Sequence, residues 1–262
     1  MKKYILILVA GFALQESMAA ELFANGKALS FVKGASLDEG TTIGGYPIFQ
    51  SDNSLKVDSV TSSLGGANGS AEAINRGFLT LKHFEPDGSW FATIGTIVNL
   101  SQTSQNQYFT GEPCGGTHLV ASNKGAGKND NCMTIDALSY QVGTTLKTYV
   151  RVKVTITKSG GRFYGITADL NPEMLGWRNT APGDWDINII NSNLTSKAAL
   201  ERLRKWSEQL QNAVDKATDY SKPKNAFESI NFSWSSCQSK PAPGSNLRPG
   251  AMSSWPAICA IG

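Results

Sequence analysis

The stretch from Val150 to Asp169 limits what this chain can fold into more than any other. Val150, Val152, Val154 and Ile156 alternate with Arg151, Lys153, Thr155 and Thr157. After Ser159-Gly160-Gly161 the chain continues through Phe163, Tyr164, Ile166 and Ala168. Alternation at period two sends successive side chains to opposite faces, so this stretch predicts two half-buried antiparallel strands. Loop length then fixes the register. A three-residue loop, Ser159–Gly161, sets Ile156 opposite Tyr164, Val154 opposite Ile166 and Val152 opposite Ala168. That register gathers the apolar residues on one side and pairs Arg151 with Asp169. A two-residue loop would place threonines opposite Tyr164 and Ile166 and split the apolar set.

Strands are expected on either side of other turn signals. Lys27–Lys33, Leu55–Val60, Phe78–Phe84 and Trp90–Leu100 carry β-branched and aromatic residues between glycine-rich clusters. Between the last two lies Glu85-Pro86-Asp87-Gly88-Ser89, in which Pro86 presets φ, Asp87 caps its own backbone and Gly88 tolerates positive φ. A hairpin is predicted there. Residues 111–131 read as a glycine-rich loop, and Asn171-Pro172 ends the strand region. Ser196 to Tyr220 is the best helix. Leu200, Leu203, Trp206, Leu210, Ala213, Val214 and Ala217 form an apolar stripe at helical spacing, with Asn193 or Thr195 as N-cap and Pro223 as terminator.

Charged residues are only 17% of the chain and glycines number 26, a balance that favours strands and polar turns over a helical bundle. The expected class is therefore α+β. It is predominantly antiparallel β, as a sandwich-like or meander sheet, with one long amphipathic helix near the C-terminus. The expected organisation is a signal peptide over 1–19, a β-rich domain over 20–170 and a helix-containing part over 171–262 packed on the same domain.

The N-terminus reads as an export signal. Met1-Lys2-Lys3 is a basic start, Tyr4 to Leu14 is an apolar run of eleven, and Ser17 and Ala19 are small residues at a cleavage site. Eleven apolar residues are too few to span a bilayer as a helix. A mature chain beginning at Ala20 would have no transmembrane segment. Periplasmic or secreted localisation follows as an expectation. The cysteines fit it: Cys114, Cys132, Cys237 and Cys259 allow three connectivities. Short loop closure favours Cys114–Cys132 with Cys237–Cys259. A metal site at Cys114, His118 and Cys132 is disfavoured, because C-x3-H fits no common zinc spacing.

Loss of Lys2, Lys3 and Glu16 on processing would lower the net charge from +3 to +2, too balanced for a dedicated nucleic-acid binder. No cofactor motif is expected. Gly125-Ala126-Gly127-Lys128 lacks the first glycine of a phosphate loop and has Asn129 where Ser or Thr should stand. Ser30-Phe31-Val32-Lys33, Ser51-Asp52-Asn53 and Lys158-Ser159-Gly160 match, in order, the short signatures of serine β-lactamases and penicillin-binding proteins. Their context is wrong. Ser30 falls in an expected strand instead of opening a helix, and Lys158 sits beside a hairpin turn. Asp184 and Asp186 flank Trp185 and could be read as the paired carboxylates of a glycosidase, but a capped turn after Pro182-Gly183 is favoured.

The remaining unusual feature is charge. Lys147, Arg151, Lys153, Lys158 and Arg162 fall between Tyr140 and Ala168 without an acid, and Tyr149 stands beside them. These residues are the candidate ligand-binding set. The leading expectation is a non-enzymatic exported binding or envelope-associated protein. Its partner would be an anionic envelope polymer or another envelope protein. A secreted or periplasmic hydrolase, with a site lined by Ser30, Ser51 or Asp184 and Asp186, is the alternative.

Overall fold

The computed structural model describes residues 22–24, 27–29, 32–37, 40–49, 55–66, 73–85, 87–100, 114–125, 130–158, 162–172, 177, 182–219, 226–228 and 230. Among them are eleven strands: β1 (Leu22–Ala24), β2 (Lys27–Leu29), β3 (Thr42–Ile43), β4 (Tyr46–Pro47), β5 (Lys56–Gly66), β6 (Ala73–Phe84), β7 (Trp90–Asn99), β8 (Val120–Asn123), β9 (Asp130–Val142), β10 (Thr145–Lys158) and β11 (Arg162–Leu170). A 3-10 turn, Pro182–Trp185, leads into helices α1 (Ile187–Ser192) and α2 (Leu194–Ala217).

Strands β5 to β11 form one antiparallel seven-stranded sheet in the order β5-β6-β7-β11-β10-β9-β8, and β1 to β4 form a small sheet in the order β2-β1-β3-β4. The fold is thus α+β with antiparallel sheets and one long helix towards the C-terminus. The β10–β11 register is the one the three-residue loop dictates: Ile156 faces Tyr164, Val154 faces Ile166, Val152 faces Ala168 and Arg151 faces Asp169. The physical cause is visible in burial. All of the apolar partners in these pairs are at most 1% exposed. The β6–β7 hairpin also forms, with Gly88 at φ 80° and the Asp87 carboxylate accepting from the Ser89 amide at 3.0 Å.

Three local expectations are corrected. Residues 111–131 are not wholly loop, because β8 forms at Val120 and β9 begins at Asp130. β8 is only four residues long, too short for alternation to stand out from its polar neighbours. The strand expected over Lys27–Lys33 is described at Lys27–Leu29 and does not include Lys33, since Lys33-Gly34 is a turn, with Gly34 at φ 85°. Helix α2 ends at Ala217, with Thr218 as C-cap, before Pro223 is reached. Asn193 is its N-cap, accepting from the amides of Thr195 at 3.0 Å and Ser196 at 3.1 Å.

Helix α2 lies on the inner face of the sheet. Leu203, Leu210 and Val214 are fully buried and join Val150, Val152, Val154, Met133 and Ile135 in one core. The rest of the inner face is closed by Tyr46, Ile48 and Phe49, with Phe49 edge-on to Trp206 and Phe227 at centroid distances of 6.4 and 5.7 Å. The Tyr164 hydroxyl donates to the Pro47 carbonyl at 2.6 Å, and burial pushes that phenol far above its ordinary pKa. A second polar tie joins helix and sheet. The fully buried Gln211 amide donates to Asn131 Oδ1 at 2.8 Å and to the Ser122 carbonyl at 3.1 Å. Among the described residues, no helix is long and apolar enough to cross a membrane.

Candidate binding cleft on the outer sheet face

With one face of the sheet committed to the core, the alternate side chains of β6, β7, β9, β10 and β11 stand on the other. A row of paired residues crosses it. Lys82 faces Thr93, Thr93 faces Asp169, Asp169 faces Arg151, and Arg151 faces Asp136. The charged members of the row, Lys82, Asp169, Arg151 and Asp136, alternate in sign, and each is bonded to a partner. The Arg151 guanidinium grips Asp169 through two hydrogen bonds, Nε to Oδ1 at 2.7 Å and Nη2 to Oδ2 at 2.8 Å. That contact raises the Arg151 pKa further above its already high value. Lys82 reaches Asp58 at 2.9 Å, and Lys33 reaches the same carboxylate at 3.2 Å. Hydrogen bonds from Lys82 and then Lys33 hold Asp58 below its usual pKa.

Above this row the sheet carries aromatic side chains. Phe84 and Trp90 pair across the β6–β7 hairpin, and Tyr140 and Tyr149 meet edge to face at a centroid distance of 5.5 Å. Phe84 is 54% exposed and Tyr140 36%. Trp90 donates its indole N–H to the Thr93 hydroxyl at 3.0 Å, which fixes the ring, and the Arg151 guanidinium lies 5.4 Å from the Tyr149 ring centroid. Together Lys82, Phe84, Trp90, Thr93, Tyr140, Tyr149 and Asp169 line a cleft of about 450 Å³ that opens onto the surface.

Four of the six residues singled out by charge, Lys147, Tyr149, Arg151 and Lys153, share this outer face, because they alternate with the buried Thr148, Val150 and Val152. Lys147 and Lys153 are exposed, Tyr149 lines the cleft, and Arg151 is engaged by Asp169. Lys158 and Arg162 are elsewhere. They pair with each other on the helix side of the sheet. Lys158 Nζ lies 3.0 Å from both the Asp215 carbonyl and its carboxylate, and Arg162 Nη1 donates to the Thr218 carbonyl at 3.3 Å. Cations at those carbonyls complement the negative end of the helix dipole. The stretch without acids was a feature of one strand pair only; Asp136 and Asp169, just outside it, come alongside when the sheet forms.

Cys114 and Cys132 stand at disulfide distance, Cα to Cα 5.5 Å. His118 lies close by and bonds Asp136 Oδ1 through Nδ1 at 2.8 Å and the Gly115 carbonyl through Nε2 at 3.0 Å. Cysteine pair and histidine together hold residues 114–118 against β9. The Asp186 side chain accepts from the Asn188 amide at 2.8 Å as N-cap of α1, the capping role expected of that turn. Residues 1–19, Ser30, Ser51, Cys237 and Cys259 lie outside the described residues.

Sequence reasoning missed Lys82, Phe84, Trp90, Thr93, Tyr140 and Asp169 as a group. A signal existed for part of it. Once Leu79, Leu81 and His83 are put on the inner face, Lys82 and Phe84 must be outer, and the predicted Glu85–Ser89 hairpin brings Trp90 beside Phe84. Tyr140 had no such signal, because β9 was not foreseen. Comparison with known protein families, with characterised proteins and with solved structures returns no match.

Proposed function

We propose that this chain is an exported, non-enzymatic binding protein that engages a polymer of the bacterial envelope through the outer face of its large sheet. The aromatic cleft carries this reading. Exposed aromatic rings grouped around a few polar atoms are a recurrent mark of binding surfaces, since each ring offers a large rigid contact area at little conformational cost. Among the described residues lining the cleft there is no serine, cysteine or histidine to act as nucleophile or base. Its carboxylate, Asp169, is held by Arg151. Lys147 and Lys153 flank it as exposed cations suited to steering an anionic or mixed polymer. The N-terminal signal pattern and the Cys114–Cys132 pair support periplasmic or secreted localisation.

Cosedimentation with purified cell-wall and membrane fractions tests it. The wild type should pellet with at least one fraction. A Phe84→Ser, Tyr140→Ser double variant should pellet less while keeping its fold, because both side chains are substantially exposed. Equal pelleting of the two proteins, or none, would rule out the outer face as the binding surface.

A further inference from the structure

Building on that reading, we infer that the unit recognised in the cleft is an uncharged saccharide ring stacked on Trp90 and Tyr149. Three observations narrow the ligand to this class. The first is the pairing of the charges. Lys82 is bonded to Asp58, and Arg151 to Asp169 through two hydrogen bonds, so neither cation is available to neutralise a ligand anion without breaking an existing pair. An anionic group placed here would also approach the Asp169 carboxylate. The second is the open shape. Receptors for quaternary ammonium groups surround the cation with rings. This cleft is open to the surface, so a cation would be poorly enclosed.

The third is the mixture of surfaces. The lining combines four aromatic rings with an ammonium, a hydroxyl and a carboxylate. A pyranose ring matches that mixture. One of its faces presents C–H bonds, whose positive edge complements the negative face of an aromatic ring, and hydroxyls around its rim both donate and accept. Asp169 can accept from a sugar hydroxyl, and Lys82 and Thr93 can donate to one. The Trp90 indole is held by Thr93, and the Tyr149 ring is flanked by Arg151 and Tyr140, so the platform is ordered before a ligand arrives. At about 450 Å³ the cleft has room for a pyranose ring and part of its neighbour. A single cleft binds a single ring weakly, so a repeating polymer is the natural ligand, with rebinding along the chain raising the apparent affinity.

Affinity electrophoresis through native gels containing hydroxyethyl cellulose, dextran, glycol chitin or alginate tests the inference, with choline chloride as a competitor. At least one of the three neutral polymers should retard the wild type, and about a tenfold increase in salt should leave the retardation unchanged, since no charge pair is formed. Trp90→Ala should weaken the effect by about tenfold, as expected for a central aromatic anchor. Because Trp90 also closes a hairpin, Tyr149→Ala and Tyr149→Phe provide a second pair: the first should lose retardation and the second keep it. Retardation by alginate alone, abolished by salt, would overturn the inference that the recognised unit is uncharged while leaving the envelope reading in place. Competition by choline, or no retardation by any neutral polymer, would overturn it as well. Retardation by a neutral polymer without cosedimentation would support the cleft and refute the envelope assignment.

Discussion

Replacing Gln211 by Leu removes the polar tie between α2 and the sheet while nearly preserving side-chain volume, so its cost isolates the hydrogen bonds. The Gln211 amide nitrogen donates to Asn131 Oδ1 at 2.8 Å, to the Ser122 carbonyl at 3.1 Å and to the Asn131 carbonyl at 3.2 Å, while its oxygen accepts from the Ser122 hydroxyl at 3.3 Å. Leucine leaves the Asn131 side-chain oxygen and the Ser122 hydroxyl without these partners. Each unsatisfied group costs about 1–3 kcal/mol when buried, and since Ser122 and Asn131 are only partly buried the lower half applies, giving about 2–4 kcal/mol in total. For a chain of this size that is a fall in melting temperature of about 4–16 °C. Urea and thermal unfolding followed by far-UV circular dichroism measure it. Gln209→Leu, on the exposed side of the same helix, is the control and should change stability by less than about 0.5 kcal/mol. In a double-mutant cycle with Asn131→Ala, the two losses should be less than additive. A Gln211→Leu protein as stable as the control would refute the reasoning.

Three further outcomes follow from the same geometry. Lys158→Ser with Arg162→Ser should lower unfolding stability by about 1–2 kcal/mol through the lost cations at the end of α2, and should leave envelope cosedimentation unchanged. Cys114→Ser with Cys132→Ser, which opens a loop with a sequence separation of 18, should cost about 3 kcal/mol in a urea titration, and reduction of the wild type should cost the same. Asp58 and Glu201 both have folded pKa values held below their ordinary 3.8 and 4.5, the first by hydrogen bonds from Lys82 and Lys33, the second chiefly by Arg204. Their stabilisation is therefore complete above those ordinary values and fades as pH falls through the lower folded ones. Urea midpoints of Asp58→Asn should accordingly fall less steeply with acidification than those of the wild type.

The sequence showed those parts of the fold in which one local rule acts without competition. Val150 to Asp169 alternates strictly, so strand type, register and the Arg151–Asp169 pair could all be read from it. The apolar stripe of α2 was legible for the same reason, since a helix is specified by its own residues, and its cap was narrowed to Asn193 or Thr195. β8 and β9 were not. Val120–Asn123 is too short and too polar to show a period, and it becomes a strand only because β9 offers a partner for its backbone. The cleft was legible only in Tyr149 and its neighbour Arg151, because it is assembled from five strands far apart in the chain. Counting charges along the chain misjudged this face. Asp169 and Asp136 enter the row through sheet register, and Lys158 and Arg162 leave it for the end of α2.

Radical footprinting of the protein bound to purified envelope material, read by mass spectrometry against the free protein, tests the outer sheet face as the binding surface most directly. Labelling of Phe84, Trp90, Tyr140 and Tyr149 should fall on binding, while Leu194, which is 85% exposed at the start of α2, should be labelled equally in both states. Protection of Leu194 with the four aromatic residues unchanged would contradict the account.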